Sequence, residues 1–342
     1  MAAPGHGALR RRAARVLLAV AGLVLSLFVC EAALWLADLA PPDPYGYVGQ
    51  HQDRESRSFV ADPDLGWRMR PGAEFAWRLD GVDTRYRADA NGFRVGEVPI
   101  AIGVDAPAHR LVLVGDSQTW GFGVPFEDTF GCVLARGLPD TAAVNLGMPG
   151  YGIDQVWQCL RRHALSPRPA AVVVGIVRDD FHRSLRAYRA SEGFNKPVFA
   201  LDGGALRRLG PADRPAALTQ WLSEHSRLWT AWGRASWHLG YRYGVGGWWS
   251  LNRALLDAMV ADARAQAPPV RLVFVHLPER GEGEFAPLAA WAAATGVEYV
   301  EPLRTERHGD APCYFSDGHL TAAGHRWIAA AIRAHLQATR WP

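Results

Sequence analysis

Lysine is almost missing from this chain: Lys196 is the only one among 37 basic residues, so arginine carries nearly all the positive charge. With the heavy use of Ala, Gly and Pro, that skew suggests a GC-rich coding bias rather than a binding function. Cysteine is scarce as well. Cys30, Cys132, Cys159 and Cys313 form no CxxC pair and have no zinc-ligand spacing. At most one disulfide is open to the three that lie outside the N-terminal apolar run, and buried apolar thiols are the simpler reading. No charge sign dominates. The net charge is only +3, from 37 basic and 34 acidic residues, so nothing calls for a polyanionic partner and nucleic acid is set aside. A Walker A loop, an HExxH zinc motif, a dinucleotide fingerprint and the GxSxG elbow are all absent. A phosphate or nicotinamide site is therefore disfavoured, and no metal or organic cofactor is implied.

What the chain does have is 342 residues, 49% of them hydrophobic and 21% charged. That composition excludes bulk disorder and allows two domains or one large α/β domain with insertions. Near the N-terminus, Arg10, Arg11, Arg12 and Arg15 precede an apolar run from Val16 to Ala37 broken only by Glu31. As a helix this run reaches roughly 33 Å, enough for a hydrocarbon core of about 30 Å. The flanks lack the small residues of a cleavage site, so an uncleaved single-pass anchor is expected rather than a signal peptide. The Arg cluster predicts a cytoplasmic tip, with the rest of the chain outside; in a bacterium that is the inner membrane and the periplasm. Residues 1–40 are read as tip and anchor. Pro41, Pro42 and Pro44 then read as a stiff linker.

Residues 41–108 otherwise read as an accessory β region. Phe75 to Leu79 and Val82 to Tyr86 flank Asp80-Gly81, the signature of a hairpin. The main domain spans 109–342. Buried-strand runs at Leu111–Val114, Ala142–Leu146, Ala171–Val177, Arg271–His276 and Val297–Val300 alternate with helical patterns near 129–138, 154–164, 251–267, 285–295 and 322–336. Continuous apolar strands alternating with helices predict a three-layer α/β/α doubly wound parallel sheet. In such a sheet the chemistry lies beyond the carboxyl ends of the strands.

Four segments stand at such ends: Gly115-Asp116-Ser117-Gln118, Asn145-Leu146-Gly147-Met148-Pro149-Gly150, Gly175-Ile176-Val177-Arg178-Asp179-Asp180, and Asp317-Gly318-His319, the last before a helix that Thr321 can cap. In this order and at these places they resemble the SGNH/GDSL hydrolase family over residues 109–338. The anchor, the Asn91-Gly92-Phe93-Arg94 stretch and a long insert at 181–250 resemble its membrane-anchored bacterial members. The resemblance implies a flavodoxin-like SGNH fold. It also implies Ser117 as nucleophile, His319 as general base, Asp317 as the residue orienting that base, and the N–H groups of Ser117 and Gly150 in an oxyanion hole. Chemically, a serine hydroxyl attacks once a neutral histidine takes its proton, and an acid fixes the histidine's tautomer.

This chain departs from the family pattern at two places. The third block normally supplies an Asn to the oxyanion hole, and the matching residue here is Asp179. A carboxylate there must be protonated, turned away or replaced by another donor, with Arg178 the neighbouring candidate. The other departure is that one residue, not two, separates Asp317 from His319. His325 reads as structural and His182 as a loop histidine beside the pocket. Six of the 14 tryptophans fall in the insert (Trp221, Trp229, Trp232, Trp237, Trp248, Trp249). They read as the insert's own small core, with sugar stacking or a membrane-interface role as alternatives. The expected activity is hydrolysis of O-acyl, most simply O-acetyl, esters on an envelope or exported glycan. The alternatives are an O-acetyltransferase using the same triad, and a glycan-binding or scaffold protein weakened by Asp179.

Overall fold

The computed structural model describes residues 6–39, 58–96, 108–166, 168–185, 188–189, 194–211, 222, 225–232, 235, 248–302, 305–309 and 311–341. The proline linker and the insert residues Trp221 and Trp237 lie outside them. The first element is a 31-residue helix, α1 (His6–Leu36). Within it, Arg11–Leu36 is the one helix among the described residues long and apolar enough to cross a membrane, and its apolar side chains are exposed.

The accessory region opens with the antiparallel pair β1 (Phe59–Asp62) and β2 (Gly66–Met69). A three-stranded antiparallel sheet follows: β3 (Glu74–Leu79), β4 (Val82–Ala88) and β5 (Arg94–Val95). The expected hairpin is present. Leu79 pairs with Val82 across a two-residue turn in which Asp80 and Gly81 both take positive φ, the backbone that matches the twist of the flanking strands.

The main domain begins with β6 (His109–Val114), which runs into the single turn α2 (Ser117–Trp120). Next come α3 (Phe130–Arg136), β7 (Thr141–Asn145) and α4 (Ile153–Cys159), the last widening into a π turn over Leu160–Ala164. β8 (Ala171–Ile176) leads to the short α5 (Asp180–Arg183). The insert contributes two antiparallel pairs, β9 (Tyr188–Arg189) with β10 (Phe194–Asn195) and β11 (Pro197–Asp202) with β12 (Ala205–Pro211). The alternation resumes with α6 (Trp248–Arg264), β13 (Leu272–His276), α7 (Ala286–Thr295) and β14 (Glu298–Val300). A small ladder, β15 (Arg307–His308) with β16 (Ala311–Pro312), precedes the last helix, α8 (Ala322–Ala338).

Five strands pair in parallel in the order β14-β13-β8-β6-β7. Numbered along the chain that order is 2-1-3-4-5, the flavodoxin-like doubly wound arrangement, and its switch point lies between β6 and β8. Side chains alternate strictly between two cores. Leu111, Leu113, Val173 and Val275 face α3 and α8 through Phe130, Leu134, Ile328 and Ile332. Val112, Val114, Val174 and Phe274 face the other layer, formed by α4, α6, α7 and the accessory strands through Val156, Leu255, Leu288, Trp67 and Tyr86. Both faces of the sheet are covered, which explains its uninterrupted apolar strands.

One expectation changes here. Trp248 and Trp249 do not close a separate insert core. They open α6 and pack against Phe181, with ring centroids 6.2 and 5.8 Å away, so they belong to the main core. Trp229 and Trp232 remain 40% and 65% exposed. The cysteines are all free thiols: Cys132, Cys159 and Cys313 are buried and Cys30 lies exposed on α1. Burial pushes the Cys132 thiol up to about 11 and that of Cys159 higher still, as for inert apolar thiols.

Candidate active site

Ser117 begins α2 directly beyond β6, beside the switch point. Asp116 caps this turn by accepting the Gln118 N–H at 2.9 Å, and Gly121, in the left-handed region, ends it after four residues. The accessory sheet braces the loop that follows. The fully buried Arg94 donates to the carbonyls of Trp120, Gly121 and Val124 at 2.8, 2.5 and 2.6 Å. Tyr86 Oη accepts the Gly123 N–H, and Thr84 Oγ1 donates to the Gly123 carbonyl. The accessory β region thus holds the Ser117 turn from behind.

His319 reaches the same place from the loop before α8, whose N-terminus Thr321 caps as expected. Its Nε2 lies 2.9 Å from Ser117 Oγ and its Nδ1 2.9 Å from Asp317 Oδ2. The other oxygen of Asp317 accepts the His319 backbone N–H at 3.0 Å, so the one-residue spacing lets a single carboxylate chelate both N–H groups. Gln118 ties the two segments together, donating to the Gly318 carbonyl and accepting the Leu320 N–H. The Phe122 ring packs 4.7 Å from the imidazole. Burial by itself would raise the Asp317 carboxyl, but the hydrogen bond and the charge attraction of His319 outweigh it and hold the group below its ordinary value. An ionised Asp317 keeps the proton on Nδ1 and leaves the Nε2 lone pair facing the serine.

The second block lies on top of α2. Asn145 donates to the Thr119 carbonyl at 2.8 Å and accepts the Gly147 N–H at 2.9 Å. A Cβ on Gly147 would come within 2.5 Å of the Trp120 nitrogen, so only glycine allows this approach. Gly150 adopts a positive φ of 79°, which aims its N–H away from the ordinary extended direction. Ser117 N–H occupies the first position of a helical turn, where no intrahelical acceptor exists. Among the described residues neither N–H is engaged by a protein acceptor.

The third block places Asp179 beside Arg183. Its carboxylate is turned into an ion pair, accepting Arg183 Nε at 2.7 Å, with His182 Nδ1 3.5 Å from its other oxygen. Arg178, the neighbouring candidate donor, lies against Glu282, its Nε 2.5 Å from that carboxylate. Arg183 is the centre of this corner. It also reaches Asp116 at 2.9 Å, Asp180 at 2.7 Å and the Tyr151 carbonyl at 3.2 Å. Burial, reinforced by the Asp116 charge, raises the Asp180 carboxyl well above its ordinary range. Asp116 in turn lies 3.4 Å from Ser117 Oγ, so the network touches the serine itself.

The sequence assigns roles to Ser117, Asp317, His319, Gly150 and Asp179, but none to Arg183, Gln118 or Arg94. Gln118 stands in the first block and Arg94 in the Asn91–Arg94 stretch, and Arg183 lies four residues after Asp179 on a helical turn. His325 is structural: it is fully buried and accepts the Phe130 N–H at 3.2 Å. Among the described residues no group of three or more His, Cys, Asp or Glu is placed to hold a metal.

No family model and no curated protein matches the chain. Solved structures similar to it include a lipolytic protein of the G-D-S-L family from Desulfitobacterium hafniense DCB-2, 12% identical, covering 66% of this chain and 99% of that one at a TM-score of 0.38. An acylhydrolase from Bacteroides fragilis NCTC 9343 is 16% identical over 70% and 92% of the two chains, TM-score 0.40. A Clostridium thermocellum family 3 carbohydrate esterase is 13% identical over 68% and 96%, TM-score 0.38. At these identities and scores the functional reading rests on the chain's own strand order and site geometry.

Proposed function

We propose that this chain is a serine esterase of the SGNH/GDSL type that cleaves O-acyl esters, most simply O-acetyl groups on an envelope or exported glycan. The observation that carries the reading is the continuous Ser117–His319–Asp317 hydrogen-bond chain at the carboxyl edge of the sheet. Ser117 Oγ attacks the ester carbonyl carbon while its proton passes to His319 Nε2. The resulting oxyanion is met by the N–H groups of Ser117 and Gly150. The carbonyl re-forms, the C–O bond to the glycan breaks, and the imidazolium returns its proton to the leaving alkoxide. Water then repeats the sequence on the acyl-enzyme, with His319 as base, and releases the acid. Asp317 stays ionised throughout and stabilises the imidazolium. α1 anchors the chain in a bacterial inner membrane as a single span, and the Arg cluster at its start keeps that end cytoplasmic and the catalytic domain periplasmic.

The Asp179–Arg183 pair favours a second reading, a protein that keeps the fold and binds acylated glycan with little turnover, because the third oxyanion donor is missing. One experiment separates the two. Intact protein and Ser117→Ala are given a fluorophosphonate probe and a small acetyl ester. Labelling and hydrolysis that both vanish in Ser117→Ala support the esterase. A well-folded wild-type chain that neither labels nor turns over refutes it.

A further inference from the structure

Glu31 interrupts the apolar face of α1, and its position sets a depth. If the hydrocarbon core begins after Arg15, a core of about 30 Å is filled by roughly 20 residues, up to Trp35. Glu31 then lies about four residues, roughly 6 Å, inside the outer boundary, where a carboxylate without partners is costly. It has partners, and three of the four come from the distant insert. Ser226 Oγ donates to Glu31 Oε2 at 2.7 Å, the Leu228 N–H to the same oxygen at 2.9 Å, and the Arg227 N–H to Oε1 at 2.7 Å. The fourth is Trp35 Nε1, at 2.9 Å from Oε1.

Arg227 then fastens the segment to the top of the span. It pairs with Asp38 at 2.8 Å, donates to the Leu39 carbonyl at 3.0 Å and lies 4.3 Å above the Trp35 ring. The guanidinium is nearly enclosed although the segment is short. From there, helical residues 227–232 present Trp229 and Trp232, three positions apart on one face, both exposed like Trp35. Rings with an apolar body and a polar N–H, held at this depth, match the boundary between headgroups and acyl chains.

We infer that residues 226–232 form an interfacial clamp on the bilayer. Glu31 draws the segment into the outer leaflet boundary, and Trp229 and Trp232 insert among the lipid headgroups, holding the catalytic domain against the membrane face. The inference rests on the reading of α1 as a membrane span. The occupant is lipid because the segment is bonded directly to the end of that span, at a depth that lipid fills.

The test uses the full chain in phosphatidylcholine–phosphatidylglycerol vesicles. A Trp232→Cys, Cys30→Ser variant is labelled with an environment-sensitive NBD dye; the three remaining cysteines are buried. Expected is a blue-shifted emission that is lost when lipids carry a nitroxide near the headgroup, while a dye on Leu209→Cys in β12 is neither shifted nor quenched. Glu31→Ala should reduce the quenching at position 232. Carbonate extraction of the same vesicles separates the two ways of failing. A chain released by carbonate refutes the span and the clamp with it. A chain that stays with lipid but carries a water-like dye refutes the clamp and leaves the span standing. A blue shift without nitroxide quenching refutes lipid as the occupant and points to a protein contact, and unchanged quenching in Glu31→Ala overturns the role given to Glu31.

Discussion

Replacing Asp179 by Asn asks whether the missing oxyanion donor limits turnover. In the structure the Asp179 carboxylate accepts Arg183 Nε, and Arg183 holds two further carboxylates, Asp116 and Asp180. Removing one of three negative partners therefore leaves the guanidinium still paired twice. The backbone of Asp179 is helical and its side chain makes no cap hydrogen bond, so Asn costs no local structure. Asn bonds Arg183 without a full ion pair, so its amide can turn away from Arg183 and His182 and offer an Nδ2–H to the oxyanion, where the carboxylate offers none. A single oxyanion donor is worth about 10²–10³ in kcat, or ~2.7–4 kcal/mol. With the N–H groups of Ser117 and Gly150 as the two proposed backbone donors and the new one not optimised, an increase toward the lower figure, about 10²-fold, is expected. The gain should fall in kcat with KM little changed, because the interaction forms with the oxyanion and not with the ground-state ester. Steady-state hydrolysis of a small acetyl ester by wild type, Asp179→Asn and Asp179→Ala measures it. Ala should lie between the other two, since it removes the charge without adding a donor. Unchanged or lower kcat in an Asn variant of unaltered melting temperature would refute the account.

Three more outcomes follow from the same contacts. Asp317→Asn leaves a hydrogen-bonding side chain of the same size but imposes the wrong histidine tautomer, so kcat should fall by up to about 10⁴-fold with unchanged folding by circular dichroism; a loss below tenfold would remove Asp317 from the proposed triad. His325 is held neutral, its imidazole pushed down to about 3 by burial and by the nearby charges of Arg94 and His319. Its folded value lies below the unfolded one, so the unfolded chain takes up the proton first. Stability is then full above about pH 6.5 and lost on acidification, by roughly 2 kcal/mol at pH 5. Melting curves at pH 7 and 5 should show a larger drop for wild type than for His325→Gln, and equal drops would contradict this. Arg94→Met strands three carbonyls of the nucleophile loop and should destabilise the domain by on the order of 3 kcal/mol in urea titrations. A change below 1 kcal/mol, on the order of one ordinary hydrogen bond, would show that the preface does not brace that loop.

The fold was legible because its signal is local and repeated. Leu111–Val114, Ala171–Ile176 and Leu272–Val275 are unbroken apolar runs, and only a sheet covered on both faces accommodates them. The hairpin at Asp80-Gly81 was legible for a similar reason, since two positive φ angles in succession demand such a pair. The insert was not. Trp248 and Trp249 look the same in sequence as Trp229 and Trp232. What separates them is Phe181, some 67 positions before Trp248, whose ring gives the first pair a core to enter. No pattern read along the chain carries that distance.

The site divides along the same line. Ser117 and the Asp317–His319 pair stand in short blocks at strand ends, and the fold brings them within hydrogen-bond distance of one another. Where a carboxylate stands in an awkward place, its resolution comes from far along the chain or from an unremarked neighbour. Glu31 is answered by residues 226–228 and the Asp116 at the nucleophile turn by Arg183. For Glu31 the sequence shows the problem, a negative charge inside an apolar run, and only the fold shows the partner. Arg178, the adjacent cation, is drawn to Glu282, whereas Arg183 one helical turn on reaches Asp116, Asp179 and Asp180 together. A long planar guanidinium satisfies several carboxylates from one fixed position, which an adjacent side chain pointing the other way cannot do. The acids around Ser117 are therefore matched to an arginine one helical turn away rather than to the arginine next to Asp179.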